Sequence, residues 1–399
     1  MTTSTTYIVR KNLNKERLWQ NGGPKLARLD IELTERCNNN CVHCYINQPQ
    51  GQQDLIEEEM STEMVKDILE QAATLGCLSV RLTGGEPLLR PDFAEIYLYA
   101  RRKGIKVVLF SNATLITAEL ITLFKKYPPG EPIEITLYGM KEQSYEAVSR
   151  VKGSFAAAMQ GISLLIENHI PIVLKSIRLP GSDEEIDEFR HFAEKHSVNG
   201  KAGGISMDFN LRGRRDNEQK NTRISRLRAT PQQTLAILSR DEDGYRKGQQ
   251  QFAEKFMRPG GVDLFNCGCG KGGSVDAYGK LQPCLLMRHP DLVYDLKNGT
   301  IQEALDHYFP KVLQQQAQDP LYLERCAICF LKGLCNQCPA WSWMENGTLD
   351  TPVQYLCDVA HEQARFLGLI NADEKAWQVE NWQERIHSFV NNQNNNNND

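Results

Sequence analysis

Several features that define other protein classes are missing from this sequence of 399 residues. No apolar run is long enough to cross a bilayer, and residues 1–19 lack the apolar core of a secretory signal peptide. Charges of the two signs nearly balance, with 46 basic and 50 acidic residues and a formal net charge of −4. This balance gives no electrostatic footprint for nucleic acid. We therefore expect a cytoplasmic protein that binds neither membranes nor nucleic acids.

Cysteine is absent from residues 78–266, although the chain has twelve cysteines in all. A chain of this length buries enough surface to fold without disulfides, and disulfides are rare in the cytosol. Clustered cysteines in such a protein more often bind metal or take part in chemistry. Cys77 stands alone, and the others form three groups: Cys37, Cys41 and Cys44; Cys267, Cys269 and Cys284; and Cys326, Cys329, Cys335, Cys338 and Cys357.

Short β-branched runs alternate with amphipathic segments of 10 to 15 residues from residue 26 onward. This alternation predicts βαβ units and a parallel sheet. Six units predict an α/β fold, a partial (β/α)6 TIM-like barrel with its functional loops at the carboxyl ends of the strands. The predicted strands are 26–33, 78–82, 105–110, 133–138, 171–177 and 205–209, and the predicted helices are 62–75, 91–103, 117–126, 155–168 and 183–196.

The rest of the chain divides by composition. Residues 211–231 form a basic loop, which either is solvated or contacts the substrate, and a helix is predicted over 231–239. From residue 263 the chain has short strands, glycines and cysteines, with little that resembles a core of its own. We predict these segments: an N-terminal extension (1–25), the barrel (26–240), a polar linker (241–262), a cysteine-rich domain (263–360), a helical segment (361–390) and a disordered Asn-rich tail (391–399).

The first cysteine group has the spacing C-x3-C-x2-C and directly follows the first predicted strand. Three thiolates in one loop can bind three irons of a [4Fe–4S] cluster and leave the fourth iron open to a small molecule. Zinc is the alternative, but it needs a fourth ligand. After the second strand comes Gly84-Gly85-Glu86-Pro87, where glycines allow close backbone approach to a ligand and a carboxylate can accept from an ammonium group. Alone, this tetrapeptide is an ordinary turn.

Together these two motifs resemble the radical S-adenosylmethionine (SAM) enzymes. The resemblance implies that SAM binds the open iron and is cleaved by one electron to methionine and a 5′-deoxyadenosyl radical, which abstracts a hydrogen atom. Two of the positions that match the family have an ordinary structural alternative: Ser111-Asn112 fits a turn that ends a strand, and Arg150 fits an exposed helix end. By resemblance, the residues expected to contact SAM are His43, Tyr45, Gly84, Gly85, Glu86, Pro87, Ser111, Asn112, Arg150, Lys175 and Ser176.

The remaining cysteines resemble the SPASM domain, a C-terminal extension of some radical SAM enzymes. The pattern is Cys269-x9-Gly279-x4-Cys284 followed by C-x2-C-x5-C-x2-C and one further cysteine, and it departs from the family only in its last interval, x2 instead of x3. The resemblance implies two auxiliary iron–sulfur clusters, although zinc is also compatible with paired C-x2-C motifs. The implied ligand sets are Cys267, Cys269, Cys284 and Cys338, and Cys326, Cys329, Cys335 and Cys357. A single glycine separates Cys267 from Cys269, so one of them is a possible non-ligand.

SPASM-type enzymes mostly modify peptides or proteins, so we expect thioether or carbon–carbon bond formation in a ribosomally synthesised peptide. Alternatives are sulfatase maturation, oxidation of a small molecule, and a non-catalytic iron–sulfur carrier or zinc scaffold. Leu285 argues against sulfatase maturation, because an aspartate follows the corresponding cysteine in the sulfatase-maturing enzymes. The open three-cysteine site and Gly-Gly-Glu-Pro argue against a carrier or scaffold. Cys77 is expected in the core.

The partners follow from the same resemblance. Only 36 residues precede Cys37, too few for an N-terminal peptide-recognition domain, so a leader peptide would bind the barrel, the 211–231 loop or a separate protein. We expect a flavodoxin- or ferredoxin-type reductant and a monomer. Asp208, at the end of the sixth predicted strand, is a speculative catalytic residue, although a structural salt bridge is the commoner role for such an aspartate.

Overall fold

A mostly parallel nine-stranded sheet lies at the centre of the fold. The computed structural model describes residues 25–180, 183–198, 204–206, 210–213, 217–270 and 272–391. Its strand order is β11-β10-β9-β1-β4-β5-β6-β7-β8, and a separate parallel pair, β2 with β3, follows β1. The strands are β1 (Arg28–Thr34), β2 (Arg36–Cys37), β3 (Gln48–Pro49), β4 (Ser79–Gly84), β5 (Lys106–Ser111), β6 (Ile133–Thr136), β7 (Ile172–Ile177), β8 (Ile205–Ser206), β9 (Gly273–Val275), β10 (Lys280–Gln282) and β11 (Tyr294–Asp295).

Helices alternate with the parallel strands. Thr62–Thr74 shows the pattern, because its buried residues follow the helical period: Val65, Ile68, Leu69 and Ala72. Ser61 caps that helix by accepting from the Met64 N–H. The helices are α1 (Gln53–Glu58), α2 (Thr62–Thr74), α3 (Phe93–Arg102), α4 (Ala118–Lys126), α5 (Glu142–Ser149), α6 (Ser154–Glu167), α7 (Ile186–His196), α8 (Glu218–Ser225), α9 (Pro231–Leu238), α10 (Glu242–Phe256), α11 (Ile301–Glu303), α12 (Phe309–Leu313), α13 (Pro339–Asn346), α14 (Gln354–Phe366) and α15 (Trp382–Asn391).

The α/β fold with a parallel sheet is confirmed, and α5, α8 and α10 are among the helices that were not predicted. Helix α5 has only two buried residues, so its sequence shows no clear 3.6-residue period. Helix α8 lies in the stretch expected to be a basic loop and buries a lysine stem, that of Lys220, beside Ile224. Helix α10 occupies the expected polar linker, where it packs against α15. Composition does not reveal this helix, because a mostly polar helix is stabilised by a packing partner that lies far away in the chain.

The cysteine-rich region shares the core of the barrel. Strand β9 pairs in parallel with β1, and β10 and β11 continue the sheet in antiparallel fashion. Val275, Leu281 and Phe309 join the same hydrophobic cluster as the barrel strands. This continuity supplies part of the core of the region, and small clusters of its own add to it, such as that of Met287, Leu292, Val312 and Ala340. No helix in the described ranges is long and apolar enough to span a membrane.

A half-buried arginine joins the C-terminal region to the end of β1. Arg288 Nη2 donates to both Glu32 carboxylate oxygens at 2.5 and 2.7 Å, and Nη1 donates to Glu35 Oε1 at 3.0 Å. The Tyr278 hydroxyl donates to the other Glu35 oxygen at 3.1 Å. Burial outweighs the nearby guanidinium and raises the pKa of Glu32 to about 7. These contacts fix the C-terminal region beside the loop that begins at Cys37.

Candidate cluster sites and the cavity between them

The loop that carries Cys37, Cys41 and Cys44 is held by the protein itself. Cys37 ends β2, where Arg36 donates to both carboxylate oxygens of Glu59 at 2.8 and 3.0 Å. Further along, the loop is hydrogen-bonded to the end of α5: the Asn40 N–H donates to the Ser149 carbonyl at 2.8 Å, and the Val42 N–H to the Val148 carbonyl at 3.0 Å. The three thiols therefore lie on a loop that the protein holds at its start and in its middle.

The thiols of this loop lie in a dry environment. Burial raises the pKa of Cys41 to about 12 and also raises that of Cys37. The Cys37 sulfur accepts from the Asn39 N–H at 3.4 Å and from Asn112 Nδ2 at 3.8 Å. Three soft sulfur donors with N–H groups aimed at one of them suit an iron–sulfur cluster. Within the described ranges, no three His, Cys, Asp or Glu side chains converge to hold a single metal ion.

Gly84 and Gly85 allow two chain segments to touch. The Gly85 N–H donates to the Thr34 carbonyl at 2.7 Å, and the Glu86 N–H donates to the Arg36 carbonyl at 2.9 Å. A Cβ on Gly84 would lie 2.1 Å from the Thr34 oxygen, and one on Gly85 would lie 2.2 Å from the Arg36 oxygen. The absence of side chains at Gly84 and Gly85 was predicted to let a ligand approach the backbone. The backbone of Thr34 and Arg36 lies there, because the two chain segments pair directly. SAM contacts from the other backbone atoms of these glycines stay predictions.

Replacing Gly85 with alanine tests this close approach. We expect Gly85→Ala to lower the free energy of unfolding by roughly 2–3 kcal/mol, because backbone atoms must move to admit the new methyl group. Gly51→Ala is the matched control, since nothing lies within 4 Å of a Cβ built there, and we expect less than about 0.5 kcal/mol. Urea denaturation measures both, and equal stability of the two variants would refute the steric explanation.

Glu86 connects the Gly-Gly-Glu-Pro segment to the end of β5. Its carboxylate accepts from the Leu88 N–H at 3.1 Å, the Ser111 hydroxyl at 3.0 Å and the Asn112 N–H at 2.8 Å. Burial raises its pKa to about 7 in spite of these donors. The side chain expected to receive the SAM ammonium thus has protein donors on both oxygens. Pro87 begins the short 3₁₀ turn that Glu86 caps.

The side chains that were expected to contact the carboxylate and ribose of SAM have hydrogen-bond or ion-pair partners within the protein. Arg150, left-handed at φ 56°, donates from Nε and Nη2 to the Asn40 carbonyl and side-chain oxygens at 2.6 and 2.5 Å. Lys175 pairs with Glu134, and the Ser176 hydroxyl donates to the Leu137 carbonyl at 2.8 Å. Arg150 is therefore a support of the cluster loop. Contact of these three residues with SAM stays a prediction.

A cavity of about 1360 Å³ lies between the first cysteine loop and the C-terminal cysteines. His43 and Tyr45 line it on the barrel side, and burial lowers the pKa of His43 to about 4, so its ring is neutral. Arg212, Arg258 and Lys332 bring basic groups to the wall. The cavity is also lined by Cys44, Cys267, Cys269, Cys284, Cys335 and Cys338. Asp208 lies outside the described residues, so its predicted role stays a prediction.

A second cavity, of about 40 Å³, is lined by the other predicted ligand set: Cys326, Cys329, Cys335 and Cys357. Burial raises the pKa of Cys326, Cys329 and Cys357 to about 12. Four soft donors around an enclosed space again suit an iron–sulfur cluster. The predicted second set thus lines one cavity, whereas the larger cavity is lined by Cys335 of that set as well as by the four cysteines of the other set. The assignment of ligands to each cluster, and iron binding itself, stay predictions. Cys77 lies in the barrel core, as expected.

Two features near these thiols bear on their roles. Cys267 is exposed, and it interacts with Cys269 so closely that one thiol of the pair ionises more easily than an isolated thiol. His361, which the sequence analysis missed, lies with Nδ1 3.5 Å from the Cys357 sulfur, while its Nε2 accepts from the Ala376 N–H at 3.1 Å. The available signal was its spacing, since residues i and i+4 of a helix are neighbours.

Comparisons with known proteins agree with this architecture. Residues 31–195 match the model of the Radical SAM superfamily. AlbA, the antilisterial bacteriocin subtilosin biosynthesis protein of Bacillus subtilis, is 25% identical over 84% of this chain and 74% of its own length. The AdoMet-dependent heme synthase of Methanosarcina barkeri is 25% identical over 79% of this chain and 92% of its own. The Fe-coproporphyrin III synthase of the same organism is 34% identical, but the match covers only 36% of this chain and 35% of that protein.

Solved structures resemble the fold over most of the chain. SuiB of Streptococcus suis bound to S-adenosylmethionine superposes with a TM-score of 0.58 at 16% identity, covering 83% of this chain and 77% of SuiB. The enzyme anSMEcpe with bound AdoMet gives 0.58 at 14% identity, covering 92% and 99%. At these identities the likeness shows the fold. With the cysteine loop, Gly-Gly-Glu-Pro segment and C-terminal cysteine sets in place, residues 31–195 form a radical SAM domain, and the chain as a whole is similar to SPASM-type enzymes of that superfamily.

Proposed function

We propose that this enzyme is a peptide maturase that forms a thioether or carbon–carbon bond in a ribosomally synthesised peptide. The observation that carries the proposal is the 1360 Å³ cavity, whose wall contains Cys44 on one side and Cys267, Cys269, Cys284 and Cys338 on the other. A substrate in this space would lie between the radical source and an auxiliary cluster. That arrangement suits a reaction in which hydrogen abstraction is followed by loss of an electron.

The chain's own residues prepare this site. Cys37, Cys41 and Cys44 would hold the first cluster, which with bound SAM supplies a 5′-deoxyadenosyl radical that removes a hydrogen atom from the substrate. Asn112 supports the Cys37 sulfur, and Arg150 holds the loop backbone at Asn40. The two C-terminal thiol sets would hold auxiliary clusters that accept the electron lost by the substrate, and a flavodoxin- or ferredoxin-type reductant would supply the electron that cleaves SAM.

Similar proteins support a peptide substrate. AlbA is named for the biosynthesis of the bacteriocin subtilosin, and SuiB has been solved with its precursor peptide SuiA. The cavity is large enough for several side chains of a bound peptide. A leader segment would bind outside the cavity, either on this chain or on a separate leader-binding protein. Leu285 after Cys284 still argues against a sulfatase-maturase mechanism.

A tetrapyrrole substrate is the second candidate, because two relatives are named as haem or coproporphyrin synthases. Arg212 and Arg258 in the cavity wall would suit the carboxylates of such a molecule. Titration with Fe-coproporphyrin III, followed by its absorbance, separates the two candidates. Saturable binding with SAM-dependent loss of the compound would favour the tetrapyrrole over the peptide.

The main test is anaerobic. Reconstituted enzyme is incubated with dithionite, SAM and a synthetic peptide encoded by a short reading frame beside the gene. We expect 5′-deoxyadenosine by chromatography and a peptide lighter by two hydrogen atoms by mass spectrometry. Formation of 5′-deoxyadenosine without any change in the peptide would reject that peptide as the substrate. Three four-iron clusters require about twelve iron atoms per chain. If enzyme with this iron content formed no 5′-deoxyadenosine, the radical mechanism itself would be refuted.

A further inference from the structure

We infer that Lys332 electrostatically links the two auxiliary sites and raises the reduction potentials of both clusters together. Lys332 lies in the short helical turn Phe330–Gly333 and lines both the 1360 Å³ cavity and the 40 Å³ cavity. No motif of the sequence points to this residue. The inference rests on the auxiliary clusters of the proposed function and adds a positioning residue to them.

The position of the ammonium group is fixed by neighbours on both sides. Lys332 Nζ donates to the Gln337 carbonyl at 2.8 Å. Gln337 is itself buried, and its side chain donates to the Ser342 hydroxyl at 2.5 Å and accepts from the Val353 N–H at 3.0 Å. The aliphatic stem of Lys332 packs on Gly260, where a Cβ would lie 3.3 Å from Lys332 Cδ. The charge is therefore held in place between the two cavities.

The charge lies near thiols of both ligand sets. Lys332 lines the larger cavity together with Cys267 and Cys338, and it lines the smaller cavity together with Cys326 and Cys335. Cys335 and Cys338 are separated by only two residues in the chain, but they belong to different predicted ligand sets. The peptide between them, with the Gln337 carbonyl that Lys332 binds, forms the partition between the sites.

A fixed positive charge stabilises the reduced form of a nearby cluster, because reduction adds one negative charge. The reduction in question transfers one electron to each cluster; no bond forms or breaks and no proton moves. In a partly buried site the interaction is weakly screened. A charge shared by two clusters shifts both potentials in the same direction, so it makes both clusters better electron acceptors and leaves the difference between them nearly unchanged.

The test measures the potentials of both auxiliary clusters in the holoenzyme by redox titration followed by EPR. For Lys332→Met, which keeps the stem against Gly260, we expect the equilibrium constant for one-electron reduction of each auxiliary cluster to fall about tenfold, or ~59 mV. Lys332→Arg keeps the charge and should stay close to the wild type. The cluster at Cys37, Cys41 and Cys44 serves as the internal reference and should not shift.

Lys375→Met is the matched control, because Lys375 lies beside Cys357 on the outer side of the second site. It should leave the cavity-side cluster unchanged. If Lys332→Met leaves either auxiliary potential unaltered, or if Lys375→Met shifts both equally, the inference is overturned. Lys332→Gln, which keeps a donor for the Gln337 carbonyl, replaces the methionine variant if that variant loses iron. A wild type without about eight auxiliary irons would refute the proposed function as well, whereas normal iron with unshifted potentials refutes this inference alone.

Discussion

The Cys41→Ala variant should cleave no measurable SAM. It should nevertheless keep about eight of the roughly twelve iron atoms of the wild-type enzyme. Cys41 is buried in the loop that Asn40 and Val42 anchor to α5, so its loss removes a ligand without removing the loop. We expect 5′-deoxyadenosine formation to fall more than about 100-fold, beyond the loss usual for residues that only support ligands. Chromatography of the product and iron analysis measure the two effects.

Cys77→Ala is the matched control for this experiment. Cys77 is also buried, but it lies in the barrel core and its thiol donates to the Ser79 carbonyl at 3.2 Å. Its removal should cost about 1 kcal/mol of stability and leave iron content and SAM cleavage unchanged. Loss of all iron from Cys41→Ala would contradict independent clusters, and normal SAM cleavage by that variant would reject the assignment of the first cysteine group.

The second large effect concerns stability. Arg288→Met should lower the free energy of unfolding by about 3–5 kcal/mol, because it leaves two buried carboxylates without their cationic partner. The side chains of Glu32 and Glu35 are only 2% and 1% exposed, so water cannot replace the guanidinium. Since Arg288 joins the cysteine-rich region to the end of β1, we also expect weaker attachment of that region. Denaturation in urea and hydrogen exchange of β9 measure these losses.

The loss of folding free energy in Arg288→Met should increase as the pH rises. The folded-state pKa of Glu32 is about 7, above its usual value near 4.5. A raised carboxyl pKa contributes stability that is present below pH 4.5 and is lost as the pH rises through 7. Removing Arg288 raises this pKa further, so the difference between wild type and variant should grow as the pH rises. Arg190→Met, which breaks an exposed pair with Asp187, should cost less than about 0.5 kcal/mol at any pH. A pH-independent loss in Arg288→Met would contradict the role of Glu32.

The parallel strands and most barrel helices were predictable because each has a clear local period. Helix Thr62–Thr74 repeats its apolar residues every three or four positions, and β5 is a short apolar run. Helix Glu242–Phe256 escaped prediction because it is mostly polar and buries only Ala253 of its own residues. Its stability comes from packing against the C-terminal helices, and such non-local support leaves no mark in the local sequence.

The glycines of the Gly-Gly-Glu-Pro segment show a second kind of limit. Their presence signals a close approach, but it does not show which part of the protein or ligand approaches. The structure places the backbone of Thr34 and Arg36 there, because β4 ends beside the segment that leads into Cys37. Likewise, the sequence could propose Arg150 as a contact of SAM but could not show that its guanidinium binds Asn40.

The sequence by itself determined the chemistry. Ligands on one short loop must be close in space, so C-x3-C-x2-C and the spaced C-terminal cysteines already indicate iron–sulfur sites. Only the tertiary structure decided how these sites are arranged. It places Cys44 and Cys284 around one cavity, Lys332 between the two thiol sets, and Arg288 against the buried carboxylate of Glu32. These relations join residues far apart in the chain, and they arise from strand pairing and packing that no local pattern of residues specifies.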